Sequence, residues 1–181
     1  MMKNSVPILV LSIVLVVNCA FGQKAERILI KGKKIHTLKL NNKISLRKLS
    51  LPGENFEQLD PLGIPNDKTY EKSVVDETWT FYYDDLEITF IDKNGMPELY
   101  KIVIDGERAF IKMAGQVLTT GISPEKIIKQ GQANHKRDLS VEKNSNKPLA
   151  SKLKNDYGFV ELVLTTDGKA IDKIIYQMDM R

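Results

Sequence analysis

The chain has 181 residues, with 27 basic and 23 acidic side chains, a formal net charge of +4, one cysteine and two histidines. Charges of both signs are interleaved rather than gathered on a basic stripe, which argues against a nucleic-acid partner. A single cysteine rules out an internal disulfide framework and a cysteine-rich metal site, so the fold must rest on its core, and the length suits one domain.

Residues 1–22 read as a secretory leader. Lys3 supplies the positive n-region, residues 6–17 form an apolar run broken by Pro7 and Ser12, and Ala20-Phe21-Gly22 places small residues at −3 and −1 of a cut site. Cleavage there leaves 23–181 as the mature exported domain, with net charge +3 once Lys3 is removed. The apolar run is shorter than the roughly 20 residues a spanning helix needs, and no later stretch is long enough either. Two other fates stay open: an uncleaved N-terminal anchor, and lipidation of Cys19. The second would follow Val16-Val17-Asn18, where Asn18 is a poor match for the small residue of a lipoprotein signal.

In chain order, Ile28-Leu29-Ile30 and Ile35-His36-Thr37-Leu38-Lys39-Leu40 flank Gly32-Lys33-Lys34 and read as a hairpin. Residues 52–59 suit a short helix with Phe56 and Leu59 on one face, stopped by Pro61-Leu62-Gly63-Ile64-Pro65. A strand follows over 74–83. Trp79, Phe81 and Tyr83 share one face, and Thr78, Thr80 and Tyr82 the other. Next comes a hairpin, 87–90 and 99–104, around Asp92-Lys93-Asn94-Gly95, then a strand over 110–113.

A second helix is expected over 123–131. Ser123 is its cap, Pro124 its first residue and Gly131 its stop. The polar stretch 132–156 reads as a loop with at most one short element. The closing hairpin, 161–164 and 171–176, turns at Thr166-Asp167-Gly168. The expected fold class is α+β: an antiparallel sheet with two short helices on one face. Its two halves, 23–106 and 107–181, read as a degenerate tandem repeat of helix plus hairpin.

The order helix, Leu62-Gly63-Ile64-Pro65, aromatic strand, hairpin resembles the BamE/SmpA-like and β-lactamase-inhibitor-protein-like superfamily of small exported α+β modules. Thr120-Gly121-Ile122-Ser123-Pro124-Glu125 to Ile128 resembles the start of the helix in such modules. The resemblance spans about 44–176 and implies a fold and a protein-binding habit, without naming a target. The second half departs from it in lacking the Leu-Gly-x-Pro turn and the aromatic strand, and the first half in lacking the Gly-x-Ser helix start.

Catalytic chemistry is hard to find. His36 sits mid-strand and His135 lies in the polar loop beside Lys136 and Arg137; neither has a partner at metal-ligand spacing. Asp76, Glu77, Asp84, Asp85 and Glu87 are the densest acidic group, and Asp84-Asp85 sits where aspartate caps turn amides. Calcium binding or acid–base work by these carboxylates are the alternatives. Met96-Pro97 interrupts any calcium loop begun at Asp92. No nucleophile elbow, P-loop or dinucleotide motif occurs.

No catalytic residue, cofactor or metal ligand is therefore assigned, and the chain reads as non-enzymatic. The candidate partner-binding residues are Thr78, Thr80 and Tyr82, on the strand face opposite the core, with an unidentified protein of the envelope or the exterior as the partner. An envelope assembly accessory, lipidated at Cys19, is one alternative. A small-ligand carrier or unrecognised enzyme is another. The intact mass of the mature protein should begin at Gln23 or its pyroglutamate; a diacyl or triacyl group on Cys19 would move the protein to the accessory class.

Overall fold

The computed structural model describes residues 26–31, 38–51, 55–92, 95–113, 116–125, 127, 129, 140–144 and 158–178. The leader, Cys19, His36 and His135 lie outside them. Among the described residues no helix is long and apolar enough to cross a membrane.

The described chain is built from strands. They are β1 (Arg27–Lys31), β2 (Lys39–Leu40), β3 (Ile44–Ser45), β4 (Asp67–Lys72), β5 (Glu77–Tyr83), β6 (Leu86–Asp92) and β7 (Glu98–Ile104). These are followed by β8 (Ile111–Met113), β9 (Gln116–Leu118), β10 (Ser140–Asn144), β11 (Phe159–Leu164) and β12 (Ile171–Gln177). They form an eight-stranded antiparallel sheet, ordered β10-β1-β11-β12-β7-β6-β5-β4, and a four-stranded one, ordered β3-β2-β8-β9.

The expected α+β class is thereby corrected to a β fold. Its helical segments are a four-residue α1 (Leu46–Leu49), a six-residue 3-10 helix (Glu57–Leu62) and the α-helical residues Glu125, Ile127 and Lys129, which fall within the helix expected over 123–131. The first two are too short to form a helical layer on the sheet. Helix nucleation costs more than a single turn returns, so such pieces persist only where tertiary packing holds them. The expected helix over 52–59 is instead the 3-10 helix. It runs through Pro61, whose fixed φ suits this coil, and ends at Gly63 with φ +93°.

Two strand readings also change. The front hairpin is split: β1 pairs with β10 and β11 in the large sheet, while β2 pairs with β3 and β8 in the small one. Asn41 and Asn42, with φ +50° and +55°, make the β2–β3 turn in the left-handed conformation that asparagine tolerates. The Asn41 side-chain oxygen accepts the Phe110 N–H at 2.8 Å, and the Asn41 backbone N–H donates to the Phe110 carbonyl at 2.9 Å, tying this turn to the start of β8. The aromatic strand begins at Glu77 rather than at residue 74, because β4 folds back on it.

Among the described residues no repeated helix-plus-hairpin unit is seen, yet the two hairpins match closely. In β6–β7 the ladder runs Glu87↔Val103, Ile88↔Ile102, Thr89↔Lys101, then slips so that Phe90 faces Leu99. In β11–β12 it runs Glu161↔Ile175, Leu162↔Ile174, Val163↔Lys173, then slips so that Leu164 faces Ile171. Residue types and bulge position correspond. Strands β7 and β12 pair with Val103 opposite Ile175, the equivalent positions, so a local two-fold axis passes between them.

One face of the large sheet is the core face. Ile28, Ile30, Phe81, Ile88, Phe90, Ile102, Ile104, Leu162, Ile174 and Tyr176 are buried on it. Leu38, Leu40, Ile44, Leu46, Leu49, Leu59, Ala109, Ile111, Leu118 and Ile127 join the same cluster from the small sheet, the helical turns and their connections. Bulk burial of this kind is the main stabilising term, at about 25 cal/mol per Å² of apolar surface.

Gly158 opens β11 with φ +76°, and a Cβ there would lie 2.4 Å from the Gln177 carbonyl oxygen. Gly168 also has positive φ, but its nearest atom would be 3.7 Å away. Gly158→Ala should lower stability in urea unfolding by at least about 1–3 kcal/mol from backbone strain. It should cost more than Gly168→Ala, which meets no backbone atom.

Candidate protein-docking surface

The β4–β5 hairpin forms one end of the large sheet, with β5 paired to β6 along its whole length. Its turn is Ser73-Val74-Val75-Asp76, and the Ser73 hydroxyl holds it together. That oxygen accepts the N–H of Val75 at 3.2 Å and of Asp76 at 2.9 Å, and donates to the Asp76 carbonyl at 3.0 Å. The Ser73 N–H reaches the same carbonyl at 2.8 Å. Valine is unfavourable in so tight a loop, where glycine, asparagine and aspartate are usual. Both valines are nonetheless presented to water, Val74 fully and Val75 at 79% exposure.

Behind the tip is a stack of rings. Tyr70, half exposed, packs on Trp79 with centroids 5.2 Å apart, and Trp79 packs on Phe56 at 5.5 Å. Phe56 lies 4.9 Å from Phe81 and 5.2 Å from Phe90. It occupies the left-handed region at φ +56°, a strained conformation for a bulky side chain that these ring contacts offset. The Lys68 ammonium sits 5.0 and 5.2 Å from the Phe81 and Phe56 ring centres, a cation–π arrangement over the cluster.

Lys72 is ion-paired with Glu77 at the base of the tip. Hydrogen bonds from Lys72 and then Tyr70 hold the Glu77 carboxyl below its usual range, and the bond to Glu77 raises Lys72. Desolvation, then Glu77, raises the Tyr70 hydroxyl.

The structure separates the sequence candidates by face. Phe81 is buried in the core and half-buried Trp79 packs against it. Thr78, Thr80 and Tyr82 do share the opposite face, all half-buried. Thr80 faces Thr89, with hydroxyls 3.4 Å apart, and Thr69 on its other side. Tyr82 sits between Asp67 and Glu87, in a cross-sheet row that continues through Val103, Ile175 and Glu161 to Leu29. Glu161 is buried in that row and bridged by Arg27 at 2.8 Å.

Sequence reasoning missed β4 and the exposed valines. The period-two pattern Asp67-Lys68-Thr69-Tyr70-Glu71-Lys72 followed by a Ser-x-x-Asp turn was the available signal.

The acidic group has structural duties. Asp84 accepts the Asn66 side-chain amide at 2.9 Å and the Arg108 guanidinium at 2.7 Å; Asp85 accepts the Arg108 N–H at 2.8 Å. Gly106 makes room for the Asp85 carboxylate, since a Cβ would come within 2.2 Å of it. The Asp92 carboxylate accepts the Gly95 N–H in the hairpin turn. Among the described residues no group of three or more histidine, cysteine, aspartate or glutamate side chains could hold a metal ion.

No protein-family model matches the sequence, and neither a curated protein nor a solved structure matches it.

The Asn66 and Arg108 bonds hold the Asp84 carboxyl below the usual range. A depressed folded pKa stabilises above the unfolded value, near 4, and the contribution vanishes as pH falls through the folded value. Wild type should therefore melt above Asp84→Asn at pH 7, with the gap closing as the pH falls below the usual carboxylate range. A gap that did not change with pH would remove the ionised carboxylate from the account.

Proposed function

We propose that this protein is an exported, non-enzymatic binding domain that docks a protein partner on the β4–β5 end of its large sheet. The leader at 1–22 supports export, and the resemblance to inhibitor-like exported modules supports a binding role. The observation that carries the reading is the tip: two exposed valines on a turn clasped by four hydrogen bonds and backed by an aromatic stack. Exposed apolar side chains cost solubility, and a rigid mount lowers the entropy lost on docking. Thr78, Thr80 and Tyr82, one sheet surface away, would extend the contact around the same hairpin.

Chemical crosslinking with tagged mature protein, in envelope and culture-fluid fractions, tests this. A stoichiometric protein partner should be captured, and the Val74→Ser/Val75→Ser variant should lose at least about ten-fold of its affinity, since each buried valine contributes about 1.5 kcal/mol. Thermal melting should show that variant folded. Tyr82→Ala distinguishes the two surfaces: loss there with full retention by the valine variant would move the contact to the outer face. No partner in either fraction would overturn the binding reading.

A further inference from the structure

Strand β4 is the terminal strand of the large sheet, and its residues are exposed apart from half-buried Thr69. An open edge is a template for another strand. The register fixes which backbone groups are offered. The Ser73 N–H bonds to the Asp76 carbonyl, and the ladder continues Lys72↔Glu77, Glu71↔Thr78, Tyr70↔Trp79. Hydrogen-bonded pairs alternate along an antiparallel ladder, so Asp67, Thr69 and Glu71 turn their amides and carbonyls to β5, while Lys68, Tyr70 and Lys72 turn theirs outward. The Lys68 N–H, capped at 2.7 Å by the Asp67 carboxylate, agrees with this assignment.

Parity then decides what can pair. A second copy would also offer its even-numbered residues, so two β4 strands can meet antiparallel only with even residues opposite even ones. Centred on Tyr70, Lys68 meets Lys72 twice. Centred on Thr69, Asp67 meets Glu71 twice; centred on Glu71, that residue meets itself. The registers that bring Asp67 to Lys72 and Lys68 to Glu71 place even opposite odd, and the backbone closes them. Like charges directly opposite are destabilising, so the edge repels its own kind.

Resting on the docking function proposed above, we infer that β4 is a heterotypic strand-addition edge. It takes an antiparallel segment of a different protein with acidic residues opposite Lys68 and Lys72, an apolar residue opposite Tyr70, and basic residues opposite Asp67 and Glu71. Lys68, Tyr70 and Lys72 lie on the side of the aromatic stack, so the apolar residue of the guest would lie beside Tyr70 and Trp79. Main-chain bonds would supply affinity and the charge alternation specificity.

Three synthetic peptides test the edge: one with that complementary pattern, one with every charge reversed, and one with the sequence of β4 itself. The readout is amide exchange in the labelled mature protein. The complementary peptide should slow exchange at the Tyr70 and Lys72 amides at least ten-fold, and the other two should not. Lys68→Glu and, independently, Lys72→Glu should each abolish that protection, and a peptide with lysine placed opposite the new acid should restore it. Equal protection by all three peptides, or by none, would overturn the inference. Partner capture that depends on Val74 and Val75 would survive that outcome, so the two readings fail separately.

Discussion

The ladder between β7 and β12 joins two four-stranded halves that would otherwise each end in an open edge. Val103 and Ile175 face each other across it, and Ile102, Ile104, Ile174 and Tyr176 line its core side, all buried. Each half brings a hairpin with the same register and the same bulge, so the two present similar twist and pleat where they meet. A continuous sheet follows, and with it one uninterrupted apolar face that needs a cover.

The cover is assembled from small pieces. Two-residue and three-residue strands, a four-residue helix and a 3-10 turn each bury a few leucines and isoleucines, and none would hold its shape alone. Their conformation is a consequence of the large sheet, held by local ties such as Asn41 to Phe110 and the Ser45 cap on the Lys48 N–H. The helix expected over 52–59 gives way to a 3-10 helix for this reason: the core needs apolar side chains such as Leu59 at particular points, and a short turn delivers them without a full α-helix.

The polar chemistry is spent on the ends of the sheet. Asp84, Asp85, Asn66 and Arg108 bind the β5–β6 turn to the connection after β7, and Thr165, Asp167 and Lys169 shape the β11–β12 turn. Of the exposed apolar side chains, Val74 and Val75 stand side by side at the tip of the β4–β5 hairpin with Tyr70 behind them, while Leu51, Ile64, Met96 and Val117 are scattered. The β5–β6 and β11–β12 turns are polar and clasped, whereas the β4–β5 turn presents two adjacent valines to water.

Local pattern was enough for the β6–β7 and β11–β12 hairpins. Alternating side chains with Asp/Asn-Gly turns specify strand, turn and strand within about 20 residues, with no help from elsewhere. The two faces of β5 followed from the same alternation, which put Trp79 and Phe81 inside and Thr78, Thr80 and Tyr82 on the opposite side. Pairing between distant segments decided the rest. β1 and β2 are neighbours in sequence but belong to different sheets, because Leu29 finds Glu161 and Leu40 finds Ile111 far along the chain. β4 became a strand because Trp79 and its neighbours offered an edge, although its own six residues are mostly charged. Periodicity records which way a side chain points; it does not record which strand will lie beside it, and that choice made both the β fold and its open edge.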